Sequence, residues 1–416
     1  MKKKNEAFVP KKNEPCGAYI LHALEDHFLN GDAYTTDDEA IHICMQAAHG
    51  ISYRQLRSDM DYLISIGKLV FEGSRLYLAK TKRYEDFAAK ELAEILPNNN
   101  LDAETATIEI SGGVHLNELQ QAAIEMLAGI LCKMPATCSL VLIGDPNQLG
   151  SVGSGNVLPD LLALGFPVTR LTQQYRQAAN DNALQYNVTQ FPCLTDKDDL
   201  KFDKSFKLVP ANENNICAVV KREAAKRYRN GEEIQVITGT NKDVYSLNQV
   251  IQEAVNPPLP TKPEITHRGV TVRQNDRVTI LRNNREKDCV NGDVGIAKKM
   301  TVLKEKDQFA DVTIALSGDR EANYLASEIG WDVVLAYAMT AHRSQGSQYD
   351  TVIVMLPPKY PNVLRRNFLY TAISRAKKQV ILVGTEEALH AAMTTPAEPR
   401  KSKLVTKVHQ KLHFAA

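Results

Sequence analysis

The stretch from Trp331 to Gly384 constrains the fold most. Three short apolar runs lie in it, Val333–Tyr337, Thr351–Leu356 and Gln379–Val383. Each is rich in Val, Ile and Leu and too short for a typical helix, which suits strands of a parallel sheet covered on both faces. The segment Leu364–Lys378 between the second and third runs has helical character. Strand, polar loop, helix, strand is the βαβ pattern of an α/β domain. Polar residues collect after the first run: Thr340, His342, Arg343, Ser344, Gln345 and Gly346. In open α/β sheets ligands gather at that edge.

The wording of these residues is specific. AYAMTAHRSQGSQYDTVIV resembles motif V of the superfamily 1 helicases, and LYTAISRAKKQVILVG resembles their motif VI. Upstream, LVLIGDPNQLGSVGSGNVL is similar to motif III and LTQQYRQ to motif IV. The four stand in family order, and the wording resembles the RecD-like branch, from roughly Tyr53 onward. The resemblance implies RecA-like parallel sheets, ATP and Mg²⁺ as cofactors, single-stranded DNA as a partner, and roles in DNA repair and recombination. It implies a phosphate-reaching role for Arg176, an arginine-finger role for Arg375 and a γ-phosphate sensor in Gln148. Gln120 matches the glutamine that reads adenine, and Asp145, Gln345 and Gly346 fall at the nucleotide side. Thr340, His342 and Ser344, short donors at a strand end, are the expected contacts to the DNA backbone; Thr238 is placed at a second strand end. No spacing of His, Cys, Asp or Glu points to a metal site.

At 416 residues the chain has room for about three domains. Its 44% hydrophobic and 24% charged content is that of an ordinary globular protein. A net charge of +1 gives no global field for nucleic acid, so any DNA contact has to be local. The seven cysteines are scattered, without a C-x-x-C pair, which predicts free thiols and a cytoplasmic setting. The basic start MKKKNEAF has no apolar stretch after it, and no run is long enough to span a membrane.

In chain order, residues 1–96 read as an N-terminal winged-helix-like module. It has helices near 17–30, 37–49 and 52–66, a hairpin about Glu72-Gly73-Ser74, and a helix from Arg83 to Leu96. Residues 97–165 resemble a remnant of the first RecA-like domain, with Leu140–Ile143 as its expected last strand. Residues 166–266 and 325–395 form the expected second RecA-like domain. Between them, 267–324 alternates in period two with an Asn291-Gly292 turn, and resembles the SH3-like β insertion of RecD-like helicases. Its tip, Arg282-Asn283-Asn284-Arg285, is polar and basic; Arg282 and Asn283 are candidate DNA contacts, and a solvated loop is the plainer alternative. The basic tail 396–416 reads as solvated by default, with a folded-back amphipathic helix or polyanion binding as the alternatives.

One departure bears on function. No G-x-x-x-x-G-K-[ST] occurs in the 416 residues, and the helix after Leu116 runs through Ala128-Gly129 to ILCKMPATCSLVLIGDPNQL. A P-loop curls successive N–H groups around phosphate and adds Lys and a hydroxyl; here Lys133 is followed by Met134. The expected activity is therefore a helicase-family DNA-binding protein without independent ATP hydrolysis. The alternative, as the resemblance implies, is an ATP-dependent DNA helicase whose site is completed in a way the motifs do not reveal or by a protein partner.

Overall fold

The computed structural model describes residues 17–29, 31–47, 51–95, 123–134, 140–150, 153–170, 182–301, 311–360 and 363–415. They fall into two units: one drawn from 1–146, 150–170 and 398–416, the other from 147–149 and 171–397. Among the described residues no helix is long and apolar enough to cross a membrane.

The first unit begins with helix α1 (Ala18–Phe28), strand β1 (Thr35–Thr36), α2 (Asp37–Ala47) and α3 (Tyr53–Ser65). Strands β2 (Leu69–Glu72) and β3 (Arg75–Leu78) follow, then α4 (Ala79–Ile95). The predicted stripes are the core: Ile20, Leu24 and Phe28 meet Leu56, Met60 and Leu63, closed by Leu69 and Leu76. Ser52 caps α3 by accepting from the Gln55 amide. Strands β1, β3 and β2 form a small antiparallel sheet. Helix α4 starts at Ala79, directly off β3 and earlier than the expected Arg83. Helices α5 (Ala123–Lys133) and α6 (Val157–Ala163) pack on α4 through Leu127, Leu131 and Leu161. Residues 140–145 form no strand: Val141 is 78% and Ile143 94% exposed. The expected strand Leu140–Ile143 is thus corrected. Among the described residues no strand pairs with this run; Val141, Leu142 and Ile143 face solvent while Leu140 packs against the α4–α5–α6 cluster.

The second unit holds α7 (Ala183–Gln190), β4 (Phe206–Pro210), α8 (Ile216–Arg229), β5 (Ile234–Thr238) and α9 (Asn241–Val255). A β-rich stretch follows: β6 (Glu264–His267), β7 (Val270–Arg273), β8 (Arg277–Ile280), β9 (Val294–Thr301), β10 (Asp311–Leu316), β11 (Glu321–Leu325) and β12 (Val333–Leu335). The chain then returns through β13 (Ala338–Thr340), β14 (Tyr349–Met355), α10 (Arg366–Ile373), β15 (Ala376–Gly384) and α11 (Glu386–Thr394). A five-stranded parallel sheet runs β13-β5-β14-β15-β4, with Thr340 opposite Thr238 and Ile353 opposite Val236. Ile353 and Ile381 pack on one face, Val352, Val354, Val380 and Leu382 on the other, so both faces are buried. A second five-stranded sheet, β11-β10-β9-β8-β12, is antiparallel, and β6 and β7 form a separate ladder. Between β8 and β9 the chain reverses at residues 285–288, inside an Asn284–Cys289 bridge, and Asn291-Gly292 is a second turn after it, with Gly292 at φ 96°.

Two sequence readings change here. The run Val333–Tyr337 is not a parallel strand: Val333–Leu335 pairs antiparallel with β8. The chain then switches sheets, the Ala336 amide donating to Arg277 and the Tyr337 carbonyl accepting from Val236. Only Ala338–Thr340 joins the parallel sheet. Strands of both kinds are buried here, so apolar composition does not distinguish them. The helix expected over Leu364–Lys378 ends at Ile373, and Ala376 already begins β15.

The basic tail takes the folded-back helical form and not the solvated one. Helix α12 (Leu404–Ala415) packs in the first unit through Leu404 and Val408, against Ala88, Ala89 and Leu92 of α4. Lys407 is 6% exposed, 2.6 Å from Asp86 and 3.0 Å from Glu85. Ser402 donates to Asp160 at 2.6 Å, and the Lys403 amide donates to Glu85 at 2.8 Å.

Candidate functional site

The carboxyl ends of β5 and β13 set the site in the second unit. After Thr340 the chain turns tightly: the Ser344 amide donates to the Thr340 carbonyl, and the Ala341 amide to Thr238. Gly346, at φ 84°, lets the turn leave in the left-handed region. The turn has an inner and an outer side. His342, Arg343 and Gly346 are exposed and Thr340 is half-buried. Ser344 is fully buried and its hydroxyl donates to the Ala341 carbonyl at 2.8 Å. The expected DNA contact at Ser344 is therefore corrected: its hydroxyl closes the turn from within. Thr238 is likewise fully buried, its hydroxyl without a partner among the described residues, so it presents nothing to a DNA strand. Gly239 beside it lies under Val363, where a Cβ would collide with that side chain.

The motif III residue Leu149 is gripped at both backbone groups. Its amide donates to the Thr371 hydroxyl at 2.7 Å, and its carbonyl accepts from Gln345 Nε2 at 2.9 Å. Thr371 is fully buried in α10, one turn before Arg375. Arg375 is only 4% exposed: Nε donates to the Thr371 carbonyl at 3.2 Å and a terminal nitrogen to the Ser374 hydroxyl at 3.1 Å. The guanidinium thus lies against the carboxyl end of α10, where unpaired carbonyls favour a cation. The sequence named Gln345 and Arg375 but not Thr371; a lone buried threonine inside a helical run carries no local signal.

In the β-rich stretch, Arg282 is exposed and lies 3.4 Å from Asp332. Asn283 accepts from the Asn291 amide at 2.8 Å, so its side chain shapes the loop. Asp145 and Gln148 are both half-buried. Gln120 and Arg176 lie outside the described residues.

Lys133 is exposed in the last turn of α5, the negative end of the helix dipole, whereas phosphates bind at helix N-termini. The extended run Val141–Ile143 presents apolar side chains to solvent. Among the described residues no group of three or more His, Cys, Asp or Glu is placed to hold a metal ion. These described residues do not fit a nucleotide's phosphates or its Mg²⁺.

Comparison with known proteins supports the motifs. Residues 335–383 match the UvrD-like helicase C-terminal domain, and residues 247–314 match the SH3 domain of ATP-dependent RecD-like DNA helicases. Residues 79–190 match an AAA domain. In these stretches the chain is similar to the RecD-like superfamily 1 helicases. It is 27% identical to the ATP-dependent RecD2 DNA helicase of Deinococcus radiodurans, over 70% of this chain and 39% of that protein. It is 28% identical to the RecBCD enzyme subunit RecD of Mycolicibacterium smegmatis, over 68% of this chain and 51% of that subunit. This RecD-like chain thus spans well under two thirds of these relatives. A crystal structure of Pif1 helicase from Bacteroides with ADP-AlF3 and ssDNA shares 17% identity, covering 65% of this chain and 66% of that one, with a TM-score of 0.35. In the RecD-like chain, the stretch matching an AAA domain contains four helices, α4 to α7, and no strand among the described residues.

Proposed function

We propose that this RecD-like chain binds single-stranded DNA through its second unit and does not hydrolyse ATP on its own. One contrast carries the reading. The turn after β13 is fully built, with His342 and Arg343 facing outward. Where the family resemblance implies a P-loop, the described residues hold a helix end at Lys133 and, at 141–143, an exposed apolar run that pairs with no described strand. Phosphoryl transfer in such enzymes rests on positioning and charge stabilisation. Arg375 alone, held against its own helix, supplies neither a cradle nor a metal. Thr340, His342 and Arg282 are the proposed DNA contacts. Their affinity belongs in the non-specific range, on the order of 10⁻⁴ to 10⁻⁶ M, and falls steeply with salt.

The test is a Mg²⁺–ATPase assay with single-stranded DNA, run beside Arg375→Ala and a nucleotide-binding titration. The expected result is no saturable nucleotide binding and no turnover above the Arg375→Ala background. Turnover of about 1 s⁻¹ or more that disappears in that variant would overturn the reading. Double substitution of Thr340 and His342 by Ala is expected to weaken DNA binding, and an unchanged affinity would remove both residues from the interface.

A second reading has its own observation. Several relatives are named as subunits of the RecBCD enzyme. An ATP-dependent helicase activity that appears only with a partner protein is the corresponding alternative. DNA-stimulated turnover that depends on an added partner and on Arg375 would establish it. A cytoplasmic location belongs to either reading.

A further inference from the structure

Helix α9 carries a polar stripe on a buried face. Asn248 and Gln252 stand one turn apart on it, and Asn256 caps its carboxyl end one turn further on. All three are buried. Polar side chains so placed need partners, and these find them in two places. Asn248 meets β13: its Nδ2 donates to the Ala338 carbonyl at 3.0 Å, and its Oδ1 accepts from the Ala338 amide at 2.9 Å. Gln252 donates to the Thr271 carbonyl at 2.9 Å and to the Asp276 carboxylate. Asn256 donates to the Gln274 carbonyl at 3.0 Å and to Asp276 at 2.6 Å.

Asp276, between β7 and β8, is where the stripe meets the β-rich stretch. It is fully buried, and it also accepts from the Arg273 amide at 2.6 Å and the Tyr337 hydroxyl at 2.8 Å. Burial pushes its carboxyl up, and the four donors oppose that. Tyr337 directly precedes β13. Residues 337 and 338 are therefore held twice, by Asp276 and by Asn248.

The place of β13 in the sheet gives these contacts their weight. It is the edge strand, with β5 on one side and no strand on the other among the described residues. A sheet edge leaves alternate backbone groups unpaired, and burying them in that state is costly. The Tyr337 carbonyl and the Ala341 amide bond to β5, so Ala338 and Thr340 between them address the open edge. The Asn248 amide takes both groups of Ala338, as a neighbouring strand would. The Ser344 amide takes the Thr340 carbonyl and closes the turn.

We propose that Asn248 and Asp276 are positioning residues for the turn that carries Thr340 and His342. Asn248 fixes β13 against α9, and Asp276 fixes the adjoining residue to the β-rich stretch. The turn, α9 and the β-rich stretch thereby hold one another in register. Both side chains are buried, so neither reaches a DNA strand; they act through the turn. The proposal rests on the single-strand reading above and adds to it what sets the geometry of the contact.

The full-length chain is compared with two variants. Asn248→Leu keeps the side-chain shape without its donor and acceptor, and the milder Tyr337→Phe removes only the hydroxyl on Asp276. Hydrogen exchange is followed in residues 338–346 with β14 as the internal reference, together with the anisotropy of a labelled oligothymidine at low salt. Exchange is expected to rise in 338–346 and not in β14. Affinity for the oligothymidine is expected to fall roughly 5- to 20-fold in Asn248→Leu and roughly 2- to 5-fold in Tyr337→Phe. Where Asn248→Leu raises exchange in β14 as well, Tyr337→Phe is the deciding variant. Repeating the substitutions in the Thr340→Ala/His342→Ala chain separates positioning from a general loss of structure. With the positioned side chains gone, they should cost no further affinity. Unchanged exchange in 338–346, or the same loss of affinity in the double-alanine chain, overturns the positioning role and leaves the single-strand reading standing. No anisotropy change with the unsubstituted chain overturns the single-strand reading, and the exchange measurement still decides whether the two residues hold the turn.

Discussion

Two apolar runs of nearly the same composition have opposite fates in this molecule. Val352, Ile353 and Val354 of β14 are fully buried, with β5 on one side and β15 on the other. Val141, Leu142 and Ile143 read equally well as a buried strand, yet Ile143 is 94% exposed. Leaving one such side chain in water forgoes roughly 1.5–3 kcal/mol of burial. The difference is not in the residues but in what lies beside them. A parallel strand is stable only when neighbours complete its hydrogen bonds and helices cover its faces. In the second unit those neighbours are present, and so is the strand-end turn that carries Thr340 and His342. The family motif survives as a sequence in both places, but only one place has the sheet that gives it a geometry.

The sharpest way to break this comparison is to place the same charge in both runs. Ile353→Asp buries a lone carboxylate at the centre of the parallel sheet. It is expected to cost more than about 4 kcal/mol and to prevent the second unit from folding. Ile143→Asp, on an exposed side chain, is expected to change stability by no more than about 0.5 kcal/mol. Urea melts of the two variants decide it. A large loss from Ile143→Asp would mean that the run is covered in solution.

The sequence was a good guide wherever a run and its neighbours lie close together. Strands β5, β14 and β15 announce themselves by Val and Ile content, whereas Asn291-Gly292 marks a turn but not the reversal between β8 and β9, which lies at residues 285–288. It failed where the deciding partner is remote. Lys407 reads as part of a solvated basic tail, but the acid it meets, Asp86, is 321 positions away. Ser344 reads as an outward donor because its neighbours are polar; only the fold shows its hydroxyl turned to the Ala341 carbonyl. The switch from β12 to β13 inside one apolar run is set by hydrogen bonds to the Arg277 carbonyl and from the Val236 amide, which no periodicity encodes. The pairing of Trp331 with Arg268 joins positions separated by most of the β-rich stretch.

A smaller effect tests why Asn147–Leu149 belongs with the second unit while Val141–Ile143 stays bare. Thr371→Val keeps the shape of α10 but removes the hydroxyl that accepts from the Leu149 amide. The expected cost is about 1 kcal/mol, the net value of one such bond. Faster hydrogen exchange at Leu149 is expected to accompany it, with β14 protected as before. Gln345→Ala, which frees the Leu149 carbonyl, should give the same local signature. Unchanged exchange at Leu149 in both variants would show that the grip does not hold the segment.

The smallest effect concerns what the first unit uses in place of a parallel sheet, namely its C-terminal segment. Lys401 lies 2.7 Å from Glu39, and its ammonium is the main reason the Glu39 carboxyl is lowered to about 2, burial opposing and Thr36 and Thr35 assisting. Both side chains are largely exposed, so the effect is modest and weakens with salt. The sign follows from the lowered value. The ionised carboxylate stabilises the folded state above the ordinary value of 4.5, and that contribution is lost as the pH falls toward about 2. Asp86, against whose lowering burial also works, is held down by Lys407 and Lys82 and acts in the same direction. Asp160, raised by burial, acts in the opposite one. Thermal melts of the chain across this acid range should therefore show a falling midpoint. Lys401→Met should remove part of the slope while leaving Lys407 and its acids in place. A slope identical in the variant would mean that the Glu39 pair contributes nothing to holding the C-terminal segment, and that its docking rests on the other contacts, among them Leu404, Val408, Lys407, Ser402 and Lys403.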